Sequence, residues 1–181
     1  MAPRFNCLTV GAALWLGVAP VYAEPAPRAT FEAASGAYAS HVSLGRFQAR
    51  MDAPLSRFIG DSARRGALLE RLYREARLAG LPPSLVLALI EVESAFIDDA
   101  VSSAGAVGLM QIMPFWVAEL GLPIDDLTDP HRNLRYGCTI LAHYLAVEGG
   151  DFTRALARYN GSLGKTWYPE RVLRTWQAHW R

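Results

Sequence analysis

The stretch that decides the fold is residues 91–114, which read EVESAFIDDAVSSAGAVGLMQIMP. It begins at the end of an apolar run and places two carboxylates there, Glu91 and Glu93. A carboxylate is costly to bury unless it is paired or protonated. Gly105 and Gly108 follow, and glycine allows a backbone to approach another group closely. These features predict that residues 91–114 form the centre of an active site.

The composition is that of a globular protein with a core. The chain has 181 residues, of which 51% are hydrophobic and 19% are charged. The formal net charge is +1, which does not indicate a basic surface for nucleic acid. We therefore expect no nucleic-acid partner.

The N-terminus has the pattern of an export signal. Arg4 precedes an apolar run over residues 8–19, and a small residue, Ala23, ends a peptidase-type site. The alternative is a membrane anchor, but the run is shorter than the ~20 residues that span a bilayer, and Pro20 interrupts it. We predict a signal peptide over residues 1–23, export to the periplasm or cell envelope, and no stable membrane insertion after cleavage. Cys138 then remains as a lone cysteine, expected to be buried.

The rest of the chain divides into two parts. Residues 24–60 are irregular, and we predict an N-terminal extension that is partly ordered or a linker. Residues 61–181 show helical spacing of apolar side chains, with helix starts near residues 61, 83, 114, 126 or 129, 152 and 169. Residues 104–113 are predicted as a short helix or a turn followed by a helix. No run alternates with period two, so the prediction is one mostly helical domain.

The two carboxylates of the central stretch should serve different purposes. Residues two apart on a helix point to different sides, so Glu91 and Glu93 cannot face each other. Desolvation raises the pKa of a carboxyl and leaves it protonated near neutral pH, as a general acid requires. A solvated helix end or an ion pair with arginine is the alternative. The pattern alone does not choose between the two residues.

A family resemblance covers roughly residues 78–175. Glu-Ser-Ala-Phe at residues 93–96 and the block from Ala100 to Pro114 closely resemble the signature of the soluble lytic transglycosylase (SLT) family. Asn133-Leu134 with Gly137, then Tyr159-Asn160-Gly161 and Tyr168-Pro169, resemble its later blocks. The resemblance implies a lysozyme-like helical domain with a substrate cleft that cleaves bacterial peptidoglycan.

The resemblance also implies roles for individual residues. Glu93 would be the sole catalytic acid and base, Tyr159 would lie close enough to orient it, and Glu91 would be structural. Substrate binding is assigned to Ser102, Met110, Gln111, Tyr159, Asn160 and Tyr168. Two departures from the family pattern are Arg158, where a small residue often stands, and residues 97–99, which replace an Asn-Pro type of turn.

The implied reaction splits the bond between N-acetylmuramic acid and N-acetylglucosamine without water and gives a 1,6-anhydro sugar. A hydrolytic muramidase is the first alternative, since most glycosidases use two carboxylates and Asp98 or Asp99 could supply the second. A non-catalytic wall-binding module of an envelope assembly is another.

We expect glycan strands as the ligand, a monomer, and an envelope secretion or conjugation assembly as a candidate partner. No cofactor is expected, and no metal either, because the histidines lack a paired ligand spacing.

Overall fold

The computed structural model of the protein describes residues 44–120 and 126–181. Within these ranges the chain forms seven helices, and the predicted mostly helical class is confirmed. They are α1 (Leu44–Leu55), α2 (Ser62–Leu78), α3 (Pro83–Ser94), α4 (Phe115–Glu119), α5 (Pro130–Val147), α6 (Phe152–Tyr159) and α7 (Trp167–His179). The predicted signal peptide, residues 1–23, lies outside the described residues, as do residues 24–43 and 121–125.

Three of the predicted helix starts are explained by aspartate caps. Asp61 accepts hydrogen bonds from the second and third residues of α2, Asp129 does the same for α5, and Asp151 caps α6. A capping carboxylate satisfies backbone N–H groups that the first helical turn leaves without a partner. The helix starts at residues 61–62, 129–130 and 151–152 are therefore confirmed.

Helix α3 is the centre of the domain. Its residues 85–90 are all 0% exposed, which confirms that a helix apolar on every side is buried. It packs against α2 and α7, and α5 closes the core through contacts with α2 and α6. Cys138 on α5 is buried, as predicted. None of the helices in the described ranges is long and apolar enough to cross a membrane.

Helix α1 belongs to the packed core, although the sequence analysis assigned residues 24–60 to an extension. Phe47, Met51 and Leu55 recur at helical spacing and are buried in the common core. The Arg65 guanidinium on α2 fixes this helix, since it binds both carboxylate oxygens of Asp52 at 2.7 and 3.0 Å. It also donates to two backbone carbonyls of the α1–α2 connection. The division at residue 61 therefore falls inside the packed body.

The prediction of a helix within residues 104–113 is wrong. Val107 forms isolated antiparallel bridges to Val101 and Ile112, and the segment is a compact loop, named here the 100–112 loop. Its backbone has positive φ at Gly105, Gly108 and Gln111. A right-handed helix excludes positive φ, so these three positions break the helical period that the apolar residues suggest.

The 100–112 loop is seated on α5 through Met110 and Gly137. Met110 is 0% exposed, and a Cβ atom at Gly137 would overlap its Sδ and lie 2.7 Å from its Cβ. Only glycine at this position lets the loop and the helix approach this closely.

Gly137→Ala should therefore lower the free energy of unfolding by about 1–3 kcal/mol, the range typical of overpacked cores. Gly66→Ala is the matched control, because Gly66 is also inside a helix and a Cβ there meets nothing within 4 Å. The control should be neutral or stabilising by up to about 1 kcal/mol. Urea unfolding followed by circular dichroism measures both, and an equal response of the two variants would contradict the packing argument.

Candidate active site

Glu93 lies half-buried in the last turn of α3 and accepts a hydrogen bond from the Tyr168 hydroxyl. Tyr168 is 2% exposed and stands in the first turn of α7. Burial raises the pKa of Glu93 to about 7, while the Tyr168 hydrogen bond and the positive charge of Arg171 act to lower it. Burial outweighs both, so the carboxyl exchanges a proton near neutral pH.

Glu91 faces a different part of the molecule, as predicted from its spacing. Its carboxylate accepts a hydrogen bond from Trp180 Nε1 at 2.7 Å and contacts His179 Nδ1 at 2.8 Å. The Trp180 ring is fully buried and packs against Phe96 with ring centroids 5.7 Å apart. Glu91 therefore fastens the C-terminal end of the described chain to α3, which is a structural role.

The chain turns sharply directly after Glu93. Ala95 and Phe96 have φ of 50° and 65°, a conformation that costs energy for residues other than glycine. Burial of the Phe96 ring against Trp180 and Phe58 offsets this strain. Ser94 donates a hydrogen bond to the Leu109 carbonyl at 2.8 Å and so ties the end of α3 to the 100–112 loop.

Asn133 on α5 organises the 100–112 loop, and the sequence analysis did not give it a place in the site. Its Oδ1 accepts from Met110 N at 2.7 Å, and its Nδ2 donates to the carbonyls of Val107 and Leu127 at 2.8 and 2.9 Å. The side chain is 0% exposed. A buried amide with three backbone partners is satisfied, and it specifies the loop conformation. The sequence indicated Asn133 only as the first residue of a block that resembles the SLT family.

The two glycines of the loop differ in what they allow. A Cβ at Gly108 would overlap Asn133 Nδ2 and lie 2.6 Å from the Leu127 carbonyl, whereas a Cβ at Gly105 would meet nothing within 4 Å. Close chain packing therefore depends on Gly108, and Gly105 is needed only for its positive φ.

Ser102 and Gln111 both hold the loop together in the structure. Ser102 Oγ accepts from Ala106 N at 3.0 Å, and Gln111 Nε2 donates to the carbonyls of Ala100 and Gly108 at 3.1 and 3.0 Å. Both residues remain half-buried, so part of each faces solvent. Their assignment to substrate binding stays a prediction.

The structure changes the roles assigned to Met110, Tyr159 and Tyr168. Met110 is fully buried against α5, so its side chain cannot contact a ligand and we assign it to packing. The Tyr159 hydroxyl donates to the Met110 carbonyl at 2.7 Å, and Tyr168, rather than Tyr159, forms the hydrogen bond to Glu93. Burial raises the pKa of Tyr159, and the negative charge of the Glu93 carboxylate adds to the effect.

Asn160 and Trp167, the neighbour of Tyr168, are both open to solvent. Asn160 is exposed at the end of α6, where it faces solvent. Trp167 is 52% exposed and meets the edge of the Tyr168 ring. Because Tyr168 is buried, only Trp167 of this pair can stack on a bound ring.

Both departures from the family pattern have a structural partner. Asp98 forms an ion pair with Arg64 of α2 at 2.6 Å and lines a small cavity between α2 and α5. Arg158 pairs with Glu148 at the end of α5. The groups that act on Glu93 are thus a phenol and a guanidinium, and neither is a second carboxylate. In the described part of the chain, no cluster of His, Cys, Asp and Glu could hold a metal ion.

Comparison with known proteins places this geometry in a family. The model of the transglycosylase SLT domain family matches residues 73–174. The chain belongs to that family. The match contains Glu93, the 100–112 loop, Asn133 and Tyr168, so the SLT domain includes every residue of the group described above. Membership also confirms the predicted lysozyme-like fold class.

The relatives of this SLT domain are longer proteins. The transglycosylase of Enterobacteria phage PRD1 is 32% identical over 100 residues, which cover 52% of this chain and 37% of the phage protein. Membrane-bound lytic murein transglycosylase C of Actinobacillus pleuropneumoniae serotype 5b (strain L20) is 56% identical over 46 residues, or 25% of this chain and 13% of that protein. The matched regions thus span well under two thirds of either relative.

Solved structures of lytic transglycosylases are similar over most of the chain. An inactive mutant of lytic transglycosylase Slt from Pseudomonas aeruginosa shares 27% identity with a TM-score of 0.49, covering 85% of this chain and 27% of that one. The 70 kDa soluble lytic transglycosylase of Escherichia coli shares 24% identity with a TM-score of 0.48, covering 80% and 27%.

The raised pKa of Glu93 makes a prediction about stability that does not depend on function. A carboxyl that binds its proton more tightly when folded lowers stability as pH rises from its unfolded pKa to its folded pKa. The loss of unfolding free energy is complete above the folded pKa, where it reaches about 3 kcal/mol for a shift of this size. Glu93→Gln removes it, so the variant should match the parent near pH 4 and unfold at a higher temperature at pH 8.

Calorimetric melting temperatures at the two pH values measure this difference. Glu119→Gln, an exposed carboxyl on α4, is the control and should show no such pH-dependent gain. A Glu93→Gln variant with the same melting temperature as the parent at pH 8 would contradict the desolvation of Glu93.

Proposed function

We propose that this chain is a peptidoglycan lytic transglycosylase in which Glu93 acts first as the acid and then as the base. The observation that carries the proposal is the state of Glu93, a carboxyl with a pKa of about 7 whose charged and hydrogen-bonding neighbours are Tyr168 and Arg171. A group that titrates near neutral pH can give and take a proton in one reaction cycle. Membership of the SLT family supports the same chemistry.

In the first step, protonated Glu93 donates its proton to the oxygen that links N-acetylmuramic acid to N-acetylglucosamine. The bond from that oxygen to C1 of the muramic acid breaks, and the electron pair leaves with N-acetylglucosamine. The substrate's own acetamido group stabilises the positive charge that develops at C1. A second protein carboxylate, which most glycosidases need as nucleophile or base, is then not required.

In the second step, Glu93 is a carboxylate and removes the proton from the C6 hydroxyl of the same sugar. The C6 oxygen closes on C1 and forms the 1,6-anhydro bond, and the proton from the C6 hydroxyl leaves Glu93 protonated for the next cycle. No water is consumed. The role of one group as acid and then as base follows from microscopic reversibility of proton transfer.

Tyr168 and Arg171 tune this cycle. Tyr168 donates to the Glu93 carboxylate and, together with the charge of Arg171, stabilises the ionised form that exists between the two steps. Burial stabilises the protonated form that begins the cycle. A pKa near neutrality is the result of this opposition, and it suits a group that must occupy both states.

The hydrolytic alternative is less well supported. A muramidase would need a second carboxylate, but Asp98 is paired with Arg64, and neither Asp98 nor Asp99 is among the groups that act on the pKa of Glu93. A non-catalytic binding module would not need to desolvate a carboxyl at a helix end, which costs stability. We therefore favour the transglycosylase over both.

Substrate contacts are proposed for Ser102, Gln111, Tyr159 and Asn160, which surround Glu93 in the family pattern. We further propose export by the predicted signal over residues 1–23, action in the periplasm or cell envelope, and glycan strands as the ligand of a monomeric enzyme. A role beside a secretion or conjugation assembly that needs a local gap in the wall is the corresponding hypothesis for a partner. A pull-down from envelope extracts that returns no envelope protein would count against that partner.

Glu93→Gln should abolish release of soluble fragments from purified peptidoglycan while the far-ultraviolet circular dichroism stays unchanged. Mass spectrometry of the wild-type digest should give fragments lighter by one water than those of a muramidase, because the 1,6-anhydro bond replaces hydrolysis. Fragments of the hydrolysed mass would favour the muramidase, and full activity of Glu93→Gln would exclude Glu93 as the acid.

The pH profile should report the Glu93 carboxyl. Because the first step needs it protonated, kcat/KM should fall as pH rises above about 7. Tyr168→Phe removes a hydrogen bond that lowers the pKa of Glu93. The fall in kcat/KM at alkaline pH should therefore move to higher pH, and overall activity should drop. Turbidity assays on cell walls across pH 5 to 9 measure this pH dependence. Trp167→Phe changes the neighbouring aromatic residue and is the control, in which the fall in kcat/KM should stay at the same pH.

A further inference from the structure

A continuous row of aromatic side chains crosses α4 and α5, and the proposed mechanism does not use it. Phe115 stacks on Trp116 with ring centroids 5.4 Å apart, and Trp116 meets Tyr144 edge to face at 5.8 Å. His143 lies 5.5 Å from Tyr144 at the far end. These four residues are named here the aromatic row.

The outer edge of the aromatic row faces solvent. Phe115 is 55% exposed and His143 is exposed, while Trp116 and Tyr144 are half-buried and pack against the core on one side. The inner contacts hold Trp116 and Tyr144 in place. The core does not explain Phe115, since most of that ring is left in water, and grouped exposed apolar side chains commonly mark a binding surface.

The aromatic row adjoins the end of the 100–112 loop, which Ser94 ties to the end of α3. Tyr159, the neighbour of Arg158 in sequence, donates its hydroxyl hydrogen to the Met110 carbonyl of this loop at 2.7 Å. On the other side, Trp116 N donates to the Met113 carbonyl and joins α4 to the end of the 100–112 loop. The group around Glu93 and the aromatic row are therefore connected through the 100–112 loop.

Arg158 adds a polar group to the same surface. Its Nε–H donates to Glu148, and its positive charge acts on Tyr144. A guanidinium carries five N–H donors, so the contact with Glu148 fixes its position and leaves donor capacity. Arg158 is also the residue by which the chain departs from the family pattern. Its side chain is 35% exposed, beside the aromatic row.

We propose that the aromatic row and Arg158 bind the glycan strand beyond the sugars that react at Glu93. A pyranose ring has an apolar C–H face and hydroxyl groups at its edge. The C–H face suits the negatively polarised face of an aromatic ring, and the hydroxyls suit the donors of Arg158. The surface thus favours long strands over short fragments. This inference rests on the proposed function for the identity of the ligand.

The first test measures binding without turnover. In the Glu93→Gln background, co-sedimentation with purified peptidoglycan sacculi should weaken about tenfold for Phe115→Ala, the size typical of a lost aromatic stack. Phe115→Tyr keeps the ring and should bind like its parent. Leu78→Ala, which removes an 80% exposed apolar side chain from α2, should also bind like its parent.

The second test uses the active chain. Phe115→Ala should lower kcat/KM on sacculi about tenfold and lower it less on a fragment of two disaccharide units, which has fewer sugars to bind beyond the reacting pair. Equal losses on both substrates, or Phe115→Tyr as weak as Phe115→Ala, would overturn the proposal. So would unchanged binding of Phe115→Ala, which would leave the row to a protein partner or to packing.

The two proposals fail separately in these experiments. If wild type releases no 1,6-anhydro product, the proposed reaction is wrong, whatever the sedimentation assay gives. If the product forms but Phe115→Ala binds sacculi as its parent does, the reaction stands and the extended glycan surface is wrong.

Discussion

The desolvation of one carboxyl is the constraint on which the rest of this structure depends. Glu93 ends a helix whose preceding residues 85–90 are fully buried, so its carboxyl is drawn out of water by the same packing that forms the core. Tyr168 and Arg171 return part of the lost stabilisation of its charge. Burial in the core raises the pKa of Glu93, and the two groups on α7 limit the rise. Fold stability and the proposed chemistry are thus coupled in one side chain.

Much of the architecture was predictable because its signals are local. Asp61, Asp129 and Asp151 cap helices at three of the predicted starts, and α3 is buried as its composition indicated. The 100–112 loop was not predicted, since Leu109 and Ile112 fit a helical period while the positive φ of Gln111 is fixed by its contacts in the fold. Residues 44–55 were placed in a partly ordered extension instead of the core, because their apolar side chains are explained only by the α2 surface that they cover.

The site shows the same division between local and tertiary information. The spacing of Glu91 and Glu93 was enough to predict that they diverge, and family blocks pointed to Glu93. Which tyrosine reaches Glu93 depends on how α7 lies against α3, and no local sequence pattern contains that information. The role of Asn133 was not predictable either, because Met110 and Val107, two of its three backbone partners, lie 23 and 26 residues away and meet it only in the folded chain.

The hydrogen bond from Tyr168 to Glu93 joins residues 75 positions apart. Contacts between residues so far apart form late, because the entropy cost of closing a large loop comes before the contact contributes to stability. A partly folded chain that lacks α7 therefore has the acid but not the group that holds it. Under the proposed function, we expect the chain to stay inactive until α7 docks against α3.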